Sequence, residues 1–136
     1  LWQKNLDNQI NIPLFLTGGT FDLVTPSVSE QLGLLLAVSA SPLSRVLVIE
    51  GASHFSPIRV MGQMKQSEGK DLFNLGESIV GYHPLSVQSL LSFEIISFLE
   101  NLEEKKSIPS NTNQTRGELK FHLLDRTIIE KLLKIQ

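Results

Sequence analysis

Three absences narrow what this 136-residue chain can be. It contains no cysteine, which excludes disulfides, thiolate metal sites and a cysteine nucleophile. No apolar run approaches the roughly 18 residues that a bilayer-spanning helix needs, so we expect no transmembrane segment. Clusters of lysine and arginine are also missing and the formal net charge is −2, which argues against nucleic-acid binding. The hydrophobic fraction of 41% is ordinary for a globular protein with a buried core.

Two stretches of the same design stand out in the first half of the chain. Residues 12–22 read Ile-Pro-Leu-Phe-Leu-Thr-Gly-Gly-Thr-Phe-Asp, and residues 45–55 read Arg-Val-Leu-Val-Ile-Glu-Gly-Ala-Ser-His-Phe. Each short apolar run predicts a buried strand, at 12–17 and at 45–50, whose end delivers a polar side chain to an exposed edge. The first delivers Asp22 and the second His54. A carboxylate that orients a histidine base makes up two thirds of a hydrolytic triad.

The segment between these strands predicts a helix. Pro26 suits a first helical position, and Ser27 with Glu30 has the spacing of a capping box. A strand, a helix and a second apolar strand predict one right-handed crossover of an α/β protein, within a parallel sheet that is covered on both faces. Two strands alone do not form a stable sheet of this type, so we expect the sheet to need partner strands that this chain does not contain.

The second half of the chain predicts two helices and a polar connection. Apolar residues at helical spacing predict a short helix at 71–80. A second helix is predicted at 84–104, and its broad apolar stripe is expected to pack against the sheet. Residues 105–117 are polar and without apolar periodicity, which is typical of a linker. We therefore predict a domain at 1–104, its linker at 105–117, and a separate tail at 118–136.

The tail is predicted to be amphipathic. Asp125 can cap a helix that begins near Thr127, and the alternation of Leu119, Phe121 and Leu123 allows a strand before it. The polar side of the helix mixes acidic and basic residues, which favours a docking face over a membrane anchor.

Taken together, the motifs resemble the C-terminal portion of an α/β-hydrolase. They are a strand, Gly-Gly-x-x-Asp, a proline four residues after Asp22, a helix, an apolar strand, Gly-Ala-Ser-His-Phe and a terminal helix. Over about residues 10–104 they are most similar to the dienelactone-hydrolase-like and platelet-activating-factor-acetylhydrolase-like branches, including predicted cyanobacterial hydrolases. The resemblance implies a serine hydrolase that cleaves carboxylic or lipid esters through an acyl-enzyme, with Asp22 as the acid and His54 as the general base. It implies a small-molecule or lipid ester substrate, no cofactor and no metal.

The chain lacks the nucleophile that this resemblance requires. The family carries its serine on a Gly-x-Ser-x-Gly turn. The stretch that begins at Gly51 has only the first half of that pattern, with Phe55 in place of the second glycine. We therefore expect a missing N-terminal part of the domain to supply the serine. The alternative is a truncated or degenerate hydrolase-like module, inactive alone, with a packing or interaction role.

Several residues also have purely structural interpretations. Asp22 alone could cap the turn before Pro26, and Gly18 with Gly19 could serve backbone geometry. His83 and His122 are interpreted as loop and surface residues. Residues 61–82 could form a lid or a lipid-facing lip near the histidine.

Overall fold

The chain forms a mixed four-stranded sheet with flanking helices, compatible with an α/β class. The computed structural model describes residues 10–57, 81–104, 106 and 110–134. In this part of the chain the strands are β1 (Phe15–Gly19), β2 (Arg45–Ile49), β3 (Asn111–Arg116) and β4 (Leu119–Asp125). Their order across the sheet is β1-β2-β4-β3. The short helix predicted at 71–80 and nearly all of the 61–82 segment lie outside the described residues.

The predicted strand–helix–strand unit is present. β1 and β2 pair in parallel, with Phe15 opposite Arg45 and Gly19 opposite Ile49. They are joined by a π-helical segment, Ser27–Leu32, that continues as helix α1, Gly33–Val38. One face of this connection is buried on the sheet because its leucines pack against an apolar cluster of Val46, Leu124 and Ile129.

The start of this helical connection differs from the predicted capping box. Pro26 precedes the first helical residue, and no side chain caps the helix there. The hydroxyl of Ser27 instead donates a hydrogen bond to the carbonyl of Gly19 over 2.9 Å. This bond ties the beginning of the helix to the end of β1, so the carboxyl end of that strand is held in place.

The sheet is mixed and two of its strands come from the second half of this chain, whereas an all-parallel sheet extended by strands outside the chain was expected. β4 pairs antiparallel with β2, and β3 pairs antiparallel with β4. Leu119, Phe121 and Leu123 of β4 face one apolar cluster while Leu124 joins the cluster on the other face. The alternation in the sequence therefore marks a strand, as anticipated, and that strand occupies the interior of the sheet. The polar segment interpreted as a linker includes the edge strand β3.

The long helix α2, Pro84–Glu103, matches its prediction to within one residue. Val87, Leu90 and Phe98 are buried, and the ring centroid of Phe98 lies 5.1 Å from that of Phe15 on β1. The apolar stripe is wider than the surface it covers, because Ile96 and Leu99 remain exposed. Only part of the predicted core face is therefore core.

The final helix, α3 (Arg126–Lys134), begins where the sequence predicted a cap. Oδ1 of Asp125 accepts a hydrogen bond from the backbone N–H of Ile128 over 2.8 Å. Ile129 is fully buried and anchors the helix beneath the sheet. Within the described residues, none of the helices combines the length and apolarity needed to cross a bilayer.

Candidate active site

The carboxyl ends of β1 and β2 bring Asp22 and His54 together. Nδ1 of His54 lies 3.1 Å from Oδ2 of Asp22. The Asp22 side chain is only 4% exposed, whereas the His54 side chain is 40% exposed. A buried carboxylate behind a partly exposed imidazole is the arrangement of an orienting acid and its base. The pair predicted from the sequence is thus a contact in the folded chain, although its role stays a prediction.

Two glycines make this contact possible by letting the strand ends approach closely. A Cβ on Gly19 would overlap the carbonyl of Ala52, and a Cβ on Gly18 would press on the Ser27 hydroxyl. The backbone N–H of Phe21 donates to the Ala52 carbonyl over 2.9 Å. Neither Gly18 nor Gly19 is among the glycines with a positive φ, so both serve close packing rather than a sharp turn.

The Asp22 carboxylate is surrounded by hydrogen-bond donors from the following turn. Oδ1 accepts the backbone N–H of Val24 at 3.0 Å and that of Thr25 at 2.7 Å. Oδ2 accepts the Thr25 hydroxyl at 2.9 Å, in addition to its contact with His54. The structural interpretation of Asp22 as a turn cap is therefore confirmed, and the same carboxylate also contacts His54.

These hydrogen bonds lower the pKa of the Asp22 carboxyl group. Burial alone raises the pKa of Asp22, but hydrogen bonds from the Thr25 backbone and hydroxyl, from His54 and from the Val24 backbone lower it further than burial raises it. The net pKa is below the ordinary value of 3.8. The group is therefore an anion at neutral pH and can stabilise a positive charge on His54.

A cavity of about 220 Å³ opens beside the pair. Its walls combine the ends of both strands with the base of α2, and its lining includes Thr17, Gly18, Ile49, Ala52 and Val87 in addition to the pair. No described residue donates to or accepts from Nε2 of His54. As far as the described residues are concerned, that nitrogen is open to a group that enters the site.

Apolar side chains flank the pair on the surface. Leu23 and Val24, which follow Asp22 directly, are 89% and 61% exposed, and Phe21 and Phe55 are exposed on either side. Exposed apolar residues concentrated at one place mark an interaction surface more often than residues scattered singly do. These four exposed apolar side chains therefore adjoin Asp22 and His54 along the chain, but none of them is among the residues that line the cavity.

The other two histidines also contact carboxylates. Nδ1 of His83 lies 3.0 Å from Oε2 of Glu118, and Nε2 of His122 lies 3.1 Å from Oε1 of Glu50. Both line a second, open cavity of about 570 Å³ on the β4 side of the sheet. The sequence did not predict these pairings, because neither of them joins the ends of two adjacent parallel strands. Among the described residues, no group of three or more His, Cys, Asp or Glu is arranged to hold a metal ion.

Sequence reasoning did not single out Thr25, which contacts both members of the pair. A hydroxyl three residues after an aspartate is a common turn signal, and it could have been noticed on that ground. Comparisons with protein-family models, curated proteins and solved structures give no match to this chain.

Proposed function

We propose that this chain supplies the acid and the histidine of a serine hydrolase that cleaves carboxylic or lipid esters through an acyl-enzyme. The supporting observation is the buried Asp22 carboxylate, held by three hydrogen bonds from its own turn, at 3.1 Å from Nδ1 of His54. This geometry lies at the carboxyl ends of adjacent parallel strands, where open α/β sheets place their ligands. The α/β-hydrolase resemblance is part of the same proposal.

The pair would activate a serine hydroxyl by passing its proton through His54 to the leaving group. Nε2 of His54 takes the proton of the hydroxyl as the oxygen attacks the ester carbonyl, and the resulting imidazolium gives that proton to the departing alcohol. A water molecule then repeats the sequence on the acyl-enzyme and releases the acid. Asp22 stays ionised throughout and stabilises the imidazolium.

In this proposal the nucleophile comes from outside residues 1–136. The sequence has no Gly-x-Ser-x-Gly turn, and the hydroxyl that lies beside the pair, that of Thr25, donates to Oδ2 of Asp22. A serine on a preceding segment would have to enter the 220 Å³ cavity beside His54. Exposed apolar side chains next to the pair along the chain, those of Phe21, Leu23, Val24 and Phe55, support an ester with an apolar acyl or alcohol part.

Labelling with a fluorophosphonate probe tests the proposal, because the probe reacts only with an activated hydroxyl. The protein is expressed with all residues that precede Leu1 in its reading frame. We expect labelling at a serine upstream of Leu1, mapped by mass spectrometry, and a loss of at least about 100-fold in labelling rate for His54→Ala. The chain 1–136 alone should hydrolyse no p-nitrophenyl ester.

His122→Ala is the matched control, since His122 also contacts a carboxylate at the same distance and lies on the neighbouring strand. It should label at the wild-type rate. Equal labelling of wild type and His54→Ala, or none in the wild type, would contradict the proposal. The chain would then be a degenerate module with a packing or interaction role.

A further inference from the structure

The hydroxyl of Thr25 lies between the two members of the pair. Its Oγ1 is 2.9 Å from Oδ2 of Asp22 and 3.2 Å from Nδ1 of His54. The side-chain amide of Gln31 also donates to it, over 3.4 Å. A hydroxyl has one hydrogen to donate and two lone pairs that accept, so three neighbours are enough to define its role.

The chemistry of the three neighbours shows which of them takes the hydrogen of the Thr25 hydroxyl and which of them face its two lone pairs. An ionised Asp22 can only accept, so it receives the hydroxyl hydrogen, and the amide nitrogen of Gln31 can only donate, so it uses one lone pair. The remaining lone pair faces Nδ1 of His54. Asp22 and Thr25 therefore both present acceptors to this nitrogen, and both favour an imidazole that carries its hydrogen on Nδ1.

An imidazole without a hydrogen on Nδ1 would leave fewer polar atoms of the network hydrogen-bonded. If Nδ1 were bare, it could accept a hydrogen bond only from the Thr25 hydroxyl, because the carboxylate beside it has none to give. Asp22 would then lose both donors at Oδ2 and keep only the two backbone N–H groups at Oδ1. A buried anion that loses half of its donors is strongly disfavoured. The network thus leaves Nε2 as the unprotonated nitrogen.

We infer that Thr25 is a positioning residue that holds Asp22 and His54 in the Nδ1–H arrangement, which leaves Nε2 free to act as a base. The purpose of this arrangement rests on the proposed function. The arrangement itself does not, because it can be observed without any turnover.

Three substitutions test the role of the hydroxyl. Thr25→Val removes it at nearly constant volume, Thr25→Ala removes it with a smaller side chain, and Thr25→Ser keeps it. All three retain the backbone N–H that donates to Asp22. Thr115→Val, on the exposed edge strand opposite Lys120, controls for the loss of a threonine hydroxyl away from the pair.

The decisive measurements are NMR titration of the Asp22 carboxyl carbon and the ring-nitrogen shifts of His54. We expect the wild type to show the Nδ1–H tautomer, and the valine and alanine variants to show a higher Asp22 pKa than wild type. The serine variant and the Thr115 control should retain the wild-type pKa. An Nε2–H tautomer in the wild type, or an Asp22 pKa that is the same with and without the hydroxyl, would overturn the inference.

Probe labelling separates this inference from the proposed function. Loss of one hydrogen bond to a charged group should slow labelling about tenfold in Thr25→Val, with recovery in Thr25→Ser. The expected NMR result without labelling in any variant would leave Thr25 as a positioning residue while the hydrolase proposal fails. If labelling depends on His54 but not on Thr25, and the Asp22 pKa is unchanged in the Thr25 variants, the hydrolase proposal would stand and the role of Thr25 would be rejected.

Discussion

The Asp22–His54 pair, at the ends of β1 and β2, differs from the two other histidine–carboxylate pairs in the burial of its carboxylate but not in distance. All three join a histidine nitrogen to a carboxylate oxygen, at 3.1 Å for Asp22, 3.0 Å for Glu118 and 3.1 Å for Glu50. Their carboxylate side chains are 4%, 73% and 44% exposed, respectively. An exposed pair exchanges its partner for water at little cost. Burial and further donors, rather than distance, therefore single out Asp22–His54.

The largest expected effect is on reactivity. Asp22→Asn keeps the size of the side chain but places an amide against Nδ1 of His54, which favours the wrong tautomer. We expect the fluorophosphonate labelling rate of the full-length protein to fall about 10³- to 10⁴-fold. Glu50→Gln and Glu118→Gln make the same chemical change at the exposed pairs and should label like the wild type. A similar loss in all three variants would erase the distinction between the two regions.

The next effect is on stability and comes from the glycine that lets the two strand ends meet. Gly19→Ala places a methyl group on the Ala52 carbonyl, and we expect a loss of about 3 kcal/mol in the free energy of unfolding, measured in urea. Gly117→Ala is the comparison on the far side of the sheet. Its Cβ would meet nothing within 4 Å, but its φ of 61° makes the change cost about 1 kcal/mol. Equal losses would show that close approach is not what Gly19 provides.

The smallest effect is the dependence of stability on pH. The pKa of Asp22 is lowered in the folded state, so at acidic pH the unfolded chain binds more protons than the folded one. Its contribution is complete above the ordinary value of 3.8 and is lost as the pH falls from there through the lower folded pKa.

Urea unfolding over this pH range should therefore give a flatter curve for Asp22→Asn than for wild type. Some slope should remain because the pKa of Asp125 is also lowered; burial raises it, but hydrogen bonds from Ser110 and the start of α3, with the nearby Arg45, lower it further. Glu118→Gln should follow the wild-type curve. A curve for Asp22→Asn that is as steep as the wild type would place the acid sensitivity elsewhere.

The sequence predicted those features that depend on short stretches of chain. The β1–α1–β2 unit, the long helix from Pro84 and the cap at Asp125 follow from local apolar patterns and turn residues. Asp22 and His54 could be paired in advance because parallel strand ends share an edge. Each of these predictions needed only neighbours in sequence and one rule of topology.

The rest depends on contacts between distant residues. β3 is polar and exposed on both faces, so it carries no apolar alternation, and it becomes a strand because β4 offers backbone partners. The place of β4 beside β2 is likewise a choice between sheet edges that no local pattern specifies. The role of Thr25 was not predicted, because the rule that pairs parallel strand ends does not specify which turn residue reaches the histidine 29 residues away.

The two edge strands of the sheet differ in how readily a further strand can pair with them. β3 has a bulge between Asn111 and Gln114 and polar exposed side chains, features that discourage another strand from joining. β1 is short and mostly half-buried, and among the described residues it is paired along one side only. Any strand added in parallel to β1 would finish at the same rim as Asp22, so the side on which the sheet accepts growth is also the side from which new side chains can reach the imidazole.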